Sequence, residues 1–178
     1  MLACVAGLSL TGCNSDKGAP KAPTQKAADA AGDKTLATGL GDDSKFAAAI
    51  KQAGLEPALA GPTPYTLLEP DDKAFAKLPA GAMDRLMKPE GRKELTAILT
   101  THVLPGTMLI ADIGKAIDAS GGKAQIRTLG GETLVATRNG DRIQFADTSG
   151  TIASVTGGDD ERSNGIIHHI DAVLMPGK

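Results

Sequence analysis

The stretch NGIIHHIDAVLMP, which runs from Asn164 to Pro176, decides the fold more than any other part of this chain. It opens with an Asn-Gly pair, a strong short-range signal for a tight turn between two strands. Ile166, Ile170 and Leu174 then recur at even spacing, so they share one face of a strand. The pattern therefore predicts a last strand that this face anchors in the core.

The polar residues of this stretch have expected positions as well. We expect Asn164 and Gly165 to shape the turn. His168 shares the phase of the isoleucines, so we expect a buried ring with a hydrogen-bond partner in the His-Val-Leu-Pro-Gly segment or in nearby backbone. Asp171 has the opposite phase, so we expect it nearer the surface, where local amides satisfy its carboxylate. His169 is expected to face solvent or a partner.

Two earlier stretches complete a set of three motifs: YTLLEPDDKAFAKLP from Tyr65 to Pro79 and LTAILTTHVLPG from Leu95 to Gly106. In this order the three resemble motifs of the fasciclin-like domain family, whose terminal signature reads Asn-Gly-x-Ile-His-x-Ile-Asp-x-Val-Leu. The resemblance covers residues 35–178 and implies an α+β fold, a wedge-shaped β-sandwich with helices packed along one side. The motif positions, to which we assign a structural role, are His102, Asn164, Gly165, His168 and Asp171.

The spacing of apolar residues also predicts helices first and strands later, which is typical of α+β domains. Ser44 can cap a helix that Gly54 ends, and from Phe46 onwards apolar residues fall at i, i+3, i+4 and i+7, the stripe of a core-facing helix. From Ala124 the pattern changes to strands. The segment 157–163 is polar and rich in Gly, so it is predicted to be a loop.

The N-terminus is predicted to be a targeting segment. Residues 1–12 are apolar and small, and they end at Cys13 in the tetrapeptide LTGC, which resembles a bacterial lipobox. On this interpretation, the thiol of Cys13 takes a lipid, residues 13–34 form a disordered tether rich in Ala, Lys and Pro, and residues 35–178 form the domain. The alternatives are a trimmed secretory signal with an incidental Cys, or a fragment of a buried helix. No Lys or Arg precedes the apolar run, so we expect the true start of translation upstream.

The amino-acid composition limits which redox chemistry and which classes of partner are possible. Cys4 and Cys13 are the only cysteines in the sequence, so a domain over residues 35–178 contains neither a thiol nor a disulfide. Lys and Arg number 19 against 21 Asp and Glu, a net charge of −2 that gives no electrostatic footprint for nucleic acid. Trp is absent, and one Tyr and three Phe offer no platform for stacking bases or sugars. We therefore expect no nucleic-acid partner.

Alternatives to purely structural roles can be stated for several polar residues. His102 and His168 could hold a metal only with a third ligand from a carboxylate. We expect instead two hydrogen-bonded rings that tie a helix end to the sheet, with no metal and no cofactor. Asp171 could act as a general base, although a lone Asp on a strand more often accepts backbone hydrogen bonds. Asp71 or Asp72 is expected to cap a helix, because their spacing does not fit a calcium loop. The usual catalytic signatures are missing from the sequence, so we expect no enzyme activity.

The expected function follows from the resemblance and the lipobox. Together they imply a lipid-anchored, extracytoplasmic domain of the bacterial cell envelope, in the periplasm or at the cell surface. It would act in adhesion or protein–protein contact, with an unknown protein or cell-surface partner. Some family members carry a Tyr-His pair tied to adhesion, but here Thr101 precedes His102. The alternative function is the binding of a small apolar ligand between the helices and the sheet.

Overall fold

Helices occupy most of the first two thirds of the domain. The computed structural model describes residues 34–41 and 43–177. Within these residues the helices are α1 (Leu36–Gly39), α2 (Lys45–Ala53), α3 (Glu56–Ala60), α4 (Asp72–Ala76), α5 (Ala82–Leu86), α6 (Arg92–Thr101) and α7 (Ile110–Ala119), with a 3-10 turn at Pro89–Gly91 before α6. The strands are β1 (Tyr65–Pro70), β2 (Val103–Pro105), β3 (Lys123–Arg127), β4 (Thr133–Asn139), β5 (Arg142–Ala146), β6 (Ile152–Arg162) and β7 (Gly165–Ile170). Helices first and strands later confirm the α+β prediction.

The strands form one seven-stranded sheet in the order β2-β1-β7-β6-β5-β4-β3. Strands β1 and β7 pair in parallel, and the other neighbours are antiparallel. The outer strands β2 and β3 approach each other just beyond the end of β3, where the Leu129 N–H donates to the Val103 carbonyl oxygen of β2 at 2.7 Å. The sheet is therefore curled and nearly closed.

Two apolar cores fill the two sides of this sheet. One lies between the sheet and helices α1 to α6 and includes Phe46, Leu67 and Ile167. The other lies within the curl of the sheet and includes Leu68 and Ile170. Successive residues of a strand point to opposite faces, so the neighbours at positions 67 and 68 enter different cores. This arrangement explains why β1 and β7, the strands at the junction, are almost wholly buried.

Helix α2 forms as its sequence predicts. The Ser44 hydroxyl oxygen accepts from the Ala47 N–H at 3.0 Å, which satisfies one of the donors left open at a helix start. Gly54 ends the helix in the left-handed region with φ of 74°, a conformation that glycine adopts at little cost. The predicted stripe beginning at Phe46 is buried in the core on the helix side.

The prediction of a loop over residues 157–163 is wrong. Strand β6 continues to Arg162 and pairs with β7 along most of its length. Two irregularities interrupt the pairing, between Val155 and Gly157 and between Gly157 and Asp160. Such bulges accept polar and small residues that break the alternation of a regular strand. The turn that follows is only two residues long, at 163–164.

Several predictions concern residues that the structure does not describe. The lipid on Cys13, the signal segment 1–12 and nearly all of the tether 13–34 lie outside the described residues, and the domain boundary at residue 35 stays a prediction. In the part of the chain that is described, no helix combines the length and the apolar character needed to cross a bilayer.

Candidate functional site

His102 lies at the C-terminal end of α6 and is fully buried. Its Nε2 accepts a hydrogen bond from the Leu174 N–H at 3.0 Å. Nδ1 therefore carries the ring proton and donates to the Ile98 carbonyl oxygen at 2.8 Å. The ring also meets Phe46 edge-on, with centroids 5.7 Å apart. Burial lowers the pKa of His102 from 6.5 to about 4, so the ring is neutral at physiological pH.

His168 is buried as its phase predicts. The Asp159 N–H donates to Nδ1 at 3.1 Å, and Nε2 donates to the Met108 carbonyl oxygen at 2.7 Å. Burial lowers the pKa of His168 below its usual value, so this ring is also neutral. The partner Met108 follows closely after the His-Val-Leu-Pro-Gly segment, near where a partner was expected. His102 thus joins the C-terminal end of α6 to the chain that follows β7, and His168 joins β7 to β6 and to the segment before α7.

Asp159 is a residue whose role the sequence does not reveal. It adopts φ of 60°, which is uncommon for a residue other than glycine. Its Oδ1 accepts from the Ile110 N–H at 2.8 Å, at the first residue of α7. Leu109, at the N-cap of α7, provides no side-chain cap, so a carboxylate from β6 serves the helix start instead. Asp159 and His168 together hold the N-terminal end of α7 against the sheet.

Asn164 does more than shape the turn. It is buried, and its Oδ1 accepts from the Leu36 N–H at 2.7 Å. Its Nδ2 donates to the carbonyl oxygens of Leu59 and Gly61, both at 2.7 Å. One side chain therefore joins the start of α1, the end of α3 and the turn before β7.

Gly165 is required by close packing. Its φ is not positive, in contrast with the glycines of several turns. A Cβ at this position would collide with the carbonyl oxygen of Tyr65 on the neighbouring strand β1. Only a residue without a side chain allows β1 and β7 to begin their pairing at this place.

Asp171 is partly exposed, as predicted, but its partner is not local. Its Oδ1 accepts from the Ser154 N–H on strand β6 at 2.7 Å, and its backbone carbonyl oxygen accepts from Lys77 Nζ at 2.6 Å. The expectation of local amides is therefore wrong. The reason is that β6 runs beside the end of β7, so an amide distant in sequence is the nearest donor.

His169 lies between two carboxylates. Nε2 is 2.9 Å from Asp160 Oδ2, and Nδ1 is 3.6 Å from Glu69 Oε2. Glu69 is buried, and this burial raises the pKa of its carboxyl group. Sequence reasoning missed the pair of Glu69 and His169, because only the parallel register of β1 and β7 places them side by side. The carboxylates lie at opposite nitrogens of the ring, so they do not converge on one position.

The remaining polar candidates are also held by internal contacts. Asp71 caps α4, where its Oδ1 accepts from the Ala74 N–H at 2.6 Å. Thr101 is buried, and its hydroxyl donates to the Ala97 carbonyl oxygen at 3.0 Å. Within residues 34–41 and 43–177, no three His, Cys, Asp or Glu side chains are grouped so that they could hold a metal ion.

A cleft of about 440 Å³ lies between helix α7 and strand β3. Its volume falls within the usual range of small-molecule sites, roughly 300–1,000 Å³. Asp112 and Arg127 are the charged residues of the lining and are both exposed. The apolar part of the lining includes Pro105, Met108, Ile113, Ala116, Ala124 and Ile126.

Comparison with known proteins identifies relatives over most of the domain. The chain is 35% identical to Protein sll1483 of Synechocystis sp. over 147 residues, which is 83% of this chain and 71% of that protein. It is 33% identical to human periostin over 135 residues, 76% of this chain but only 15% of periostin. It is also 33% identical to the immunogenic protein MPB70 of Mycobacterium bovis over 112 residues, 63% of this chain and 50% of that protein.

The fold is found in a solved structure as well. The FAS1 domain pair of the insect cell adhesion molecule Fasciclin I matches with a TM-score of 0.59 at 21% identity, over 73% of this chain and 44% of that one. At this identity the likeness shows the fold. The family model described as Fasciclin domain matches residues 41–176, which include the buried histidines, Asn164 and Gly165. This chain therefore belongs to the fasciclin domain family.

Proposed function

We propose that this domain serves adhesion or protein–protein contact at the bacterial cell envelope. The observation that carries the proposal is the match of the fasciclin family over residues 41–176. The likeness to a domain pair from a cell adhesion molecule supports it. His102, His168 and Asn164 are buried and hydrogen-bonded within the domain, which supports structural roles for them and a binding site elsewhere on the surface.

The attachment to the membrane is a separate part of the proposal. The tetrapeptide LTGC supports a lipid on the thiol of Cys13. Several acyl chains hold a protein stably, whereas one holds it only marginally. Expressed behind a complete signal, the Cys13→Ser chain should be released in soluble form or stay unprocessed. A fully processed Cys13→Ser protein that remained in the membrane fraction would disprove the anchor.

The interaction itself can be tested by cross-linking in living cells. The tagged full chain is cross-linked, purified from membranes, and its adducts are identified by mass spectrometry. The matched controls are Gly165→Ala, in which the new Cβ collides with Tyr65 and should disrupt the fold, and Gly41→Ala, which has open space around its Cβ. The proposal requires the same defined protein adducts with the native chain and with Gly41→Ala, and the loss of these adducts in Gly165→Ala. Equal adducts with all three chains would contradict it.

A second candidate function is the binding of a small apolar ligand in the periplasm or at the cell surface. The cleft between α7 and β3 favours it, because its volume and apolar lining suit a small molecule. Native mass spectrometry of the chain purified from envelopes would detect a ligand of defined mass. Ala116→Phe, which fills the cleft, should abolish that adduct. Its presence in both chains, or in neither, would argue against this function.

A further inference from the structure

Strand β3 is an outer strand of the sheet, and the outward side of its backbone has no partner strand over residues 123–127. It pairs with β4 alone. Beyond residue 127 the edge is already occupied, because the Leu129 N–H donates to the Val103 carbonyl oxygen of β2.

The Thr128 N–H donates to the Glu132 carbonyl oxygen at 2.8 Å, so the backbone groups of Thr128 point towards the β4 side. In an antiparallel pair, the backbone groups of successive residues point alternately towards the partner strand and away from it. The N–H and C=O groups of Lys123, Gln125 and Arg127 therefore point away from β4. An open edge of this kind is a template for another strand.

This edge faces the cleft. Gln125 and Arg127 line one side of it. The exposed residues Asp112 and Ala116 of α7 line the other, together with Ser120, the residue that caps the C-terminal end of this helix. Asp112, Ala116 and Ser120 are spaced by four residues, so they share one face of the helix. A short turn at residues 120–122 joins the C-terminal end of α7 to the start of β3. The lining of the cleft also includes Pro105.

The two faces of β3 differ sharply in polarity. Ala124 and Ile126 are buried, whereas Lys123, Gln125 and Arg127 are exposed. A strand added beside β3 would repeat this alternation. Its residues opposite positions 124 and 126 would point towards the apolar lining of the cleft, and those opposite the exposed residues would point to solvent.

The edge is also positively charged. Lys123 and Arg127 take part in none of the ion pairs or side-chain hydrogen bonds found among residues 34–41 and 43–177. Asp112, across the cleft, has its charge balanced by Lys115 at 3.0 Å. Two free cations on the edge strand therefore favour an occupant with carboxylates at the matching positions.

A second copy of this chain fits the edge poorly. Symmetric antiparallel pairing about Gln125 would place Lys123 of each copy opposite Arg127 of the other. Like charges directly opposite each other destabilise a strand pair. Charged side chains on an outer strand are a common protection against self-association. The edge is thus arranged to accept a partner of different sequence.

We propose that the free edge of β3 binds an extended peptide by strand addition, and that the peptide has the pattern acidic–apolar–x–apolar–acidic. This inference rests on the proposed protein-interaction function and names its partner. The backbone of the peptide pairs with Lys123, Gln125 and Arg127. Its carboxylates meet the two cations, and its apolar side chains enter the cleft beside Ala116.

The probe is the peptide Ser-Glu-Val-Thr-Val-Asp-Ser, titrated into the ¹⁵N-labelled full chain. The amide signals of Gln125 and Arg127 should shift on binding, and added salt should weaken the binding. The first control peptide carries Lys in place of both acids, and the second is N-methylated at the central Thr, which removes the donor to the edge. Each control should bind at least about tenfold more weakly, because one reverses two ion pairs and the other breaks the ladder. Equal binding by either control peptide would overturn the proposal.

Variants of the chain test the same contact from the other side. Lys123→Glu with Arg127→Glu should weaken binding about tenfold or more. Gln125→Pro removes an N–H that points to the open edge, and proline is tolerated on outer strands, so binding should be lost while the fold remains. The matched control is Arg142→Glu, an exposed cation on β5, which should bind the probe as the native chain does. Loss of binding in Arg142→Glu, or full binding in Gln125→Pro, would contradict strand addition.

Two outcomes separate this inference from the proposed function. If the double charge reversal abolishes probe binding but leaves the cellular cross-links intact, the protein interaction of the proposed function uses another surface, and the assignment of its partner to this edge is wrong. If the probe shifts the amides of α7 without those of Gln125 and Arg127, the cleft takes side chains or small apolar molecules and not a strand, which refutes strand addition.

Discussion

The backbone N–H of Asp159 donates to Nδ1 of the buried His168 ring at 3.1 Å. This bond fixes the ring in the form that carries its proton on Nε2, and that proton is donated to the Met108 carbonyl oxygen. The same Asp159 accepts from the first amide of α7. The bulged strand β6, the His168 ring and the start of α7 therefore hold one another in place. A substitution of His168 should also disturb β6 and the start of α7.

His168→Ala should lower stability much more than His169→Ala. The first substitution empties a buried site and leaves the Asp159 N–H and the Met108 carbonyl without their partner, at a cost of about 2–4 kcal/mol. His169 is partly exposed, with its side chain 39% accessible, and its loss should cost less than about 1 kcal/mol. Urea unfolding of both variants measures the difference. Equal midpoints would contradict the structural role of His168.

The free energy of unfolding should fall as pH drops below about 6.5. The pKa of His102 is about 4 in the folded chain and about 6.5 when the ring is free, so between these values only the unfolded state binds the proton. The stabilisation is therefore complete above pH 6.5 and decreases towards pH 4. From about pH 7.5 to pH 5 this ring alone accounts for a loss of about 2 kcal/mol. The lowered pKa of His168 acts in the same direction.

Glu69 opposes this trend and must be separated from it. Its raised pKa means that the folded state takes up a proton at higher pH than the unfolded state, which favours folding as pH falls. Urea unfolding is therefore measured at both pH values for the native chain, Glu69→Gln and His102→Gln. The dependence on pH should be steeper in Glu69→Gln and flatter in His102→Gln. An unchanged slope in His102→Gln would show that another group carries the effect.

Gly165→Ala should be among the most damaging single methyl additions in this domain. The new Cβ collides with the carbonyl oxygen of Tyr65, and two strands buried on both faces cannot separate without opening both cores. We expect a loss of about 3 kcal/mol or more, or no folded protein. Gly41→Ala, with no atom near its Cβ, should change stability by less than about 0.5 kcal/mol. Circular dichroism during heating measures both, and a native midpoint for Gly165→Ala would refute the close approach.

A chain that begins at Thr35 should fold by itself in one cooperative transition. It retains the helix start at Leu36 and the bond from that amide to Asn164, although it loses the carbonyl of Lys34 that accepts from Ser163. It contains no cysteine, so a reducing agent should leave its melting temperature unchanged. Calorimetry with and without reductant is the measurement. A chain that melts without cooperativity would place the domain boundary further upstream.

Local signals made part of this structure predictable from sequence. Helix α2 has its stop at Gly54 and its stripe from Phe46 within a single short segment, so spacing alone finds it. This prediction succeeded because it depends only on residues close together in the chain. His168 is buried as predicted, but the opposite face of β7 is buried as well, so the period of the strand alone does not account for it.

The features that were missed depend on pairing between distant segments. The long strand β6 resembles a loop because its bulges accept Gly157 and Asp159 at places where a regular strand would carry apolar residues. Glu69 is buried beside His169 only because β1 and β7 pair in parallel. The three bonds of Asn164 reach segments that no turn motif specifies. Sequence periodicity does not contain this information.

The parallel pairing of β1 with β7 has a consequence for folding during translation. Tyr65 cannot find its neighbour Gly165 until almost the whole domain has left the ribosome, and both cores are lined by these two strands. Contacts between such distant residues form late and slowly. A nascent chain of this topology would stay open throughout translation, so a chain that stops before residue 165 should be handled by chaperones and proteases as an unfolded one.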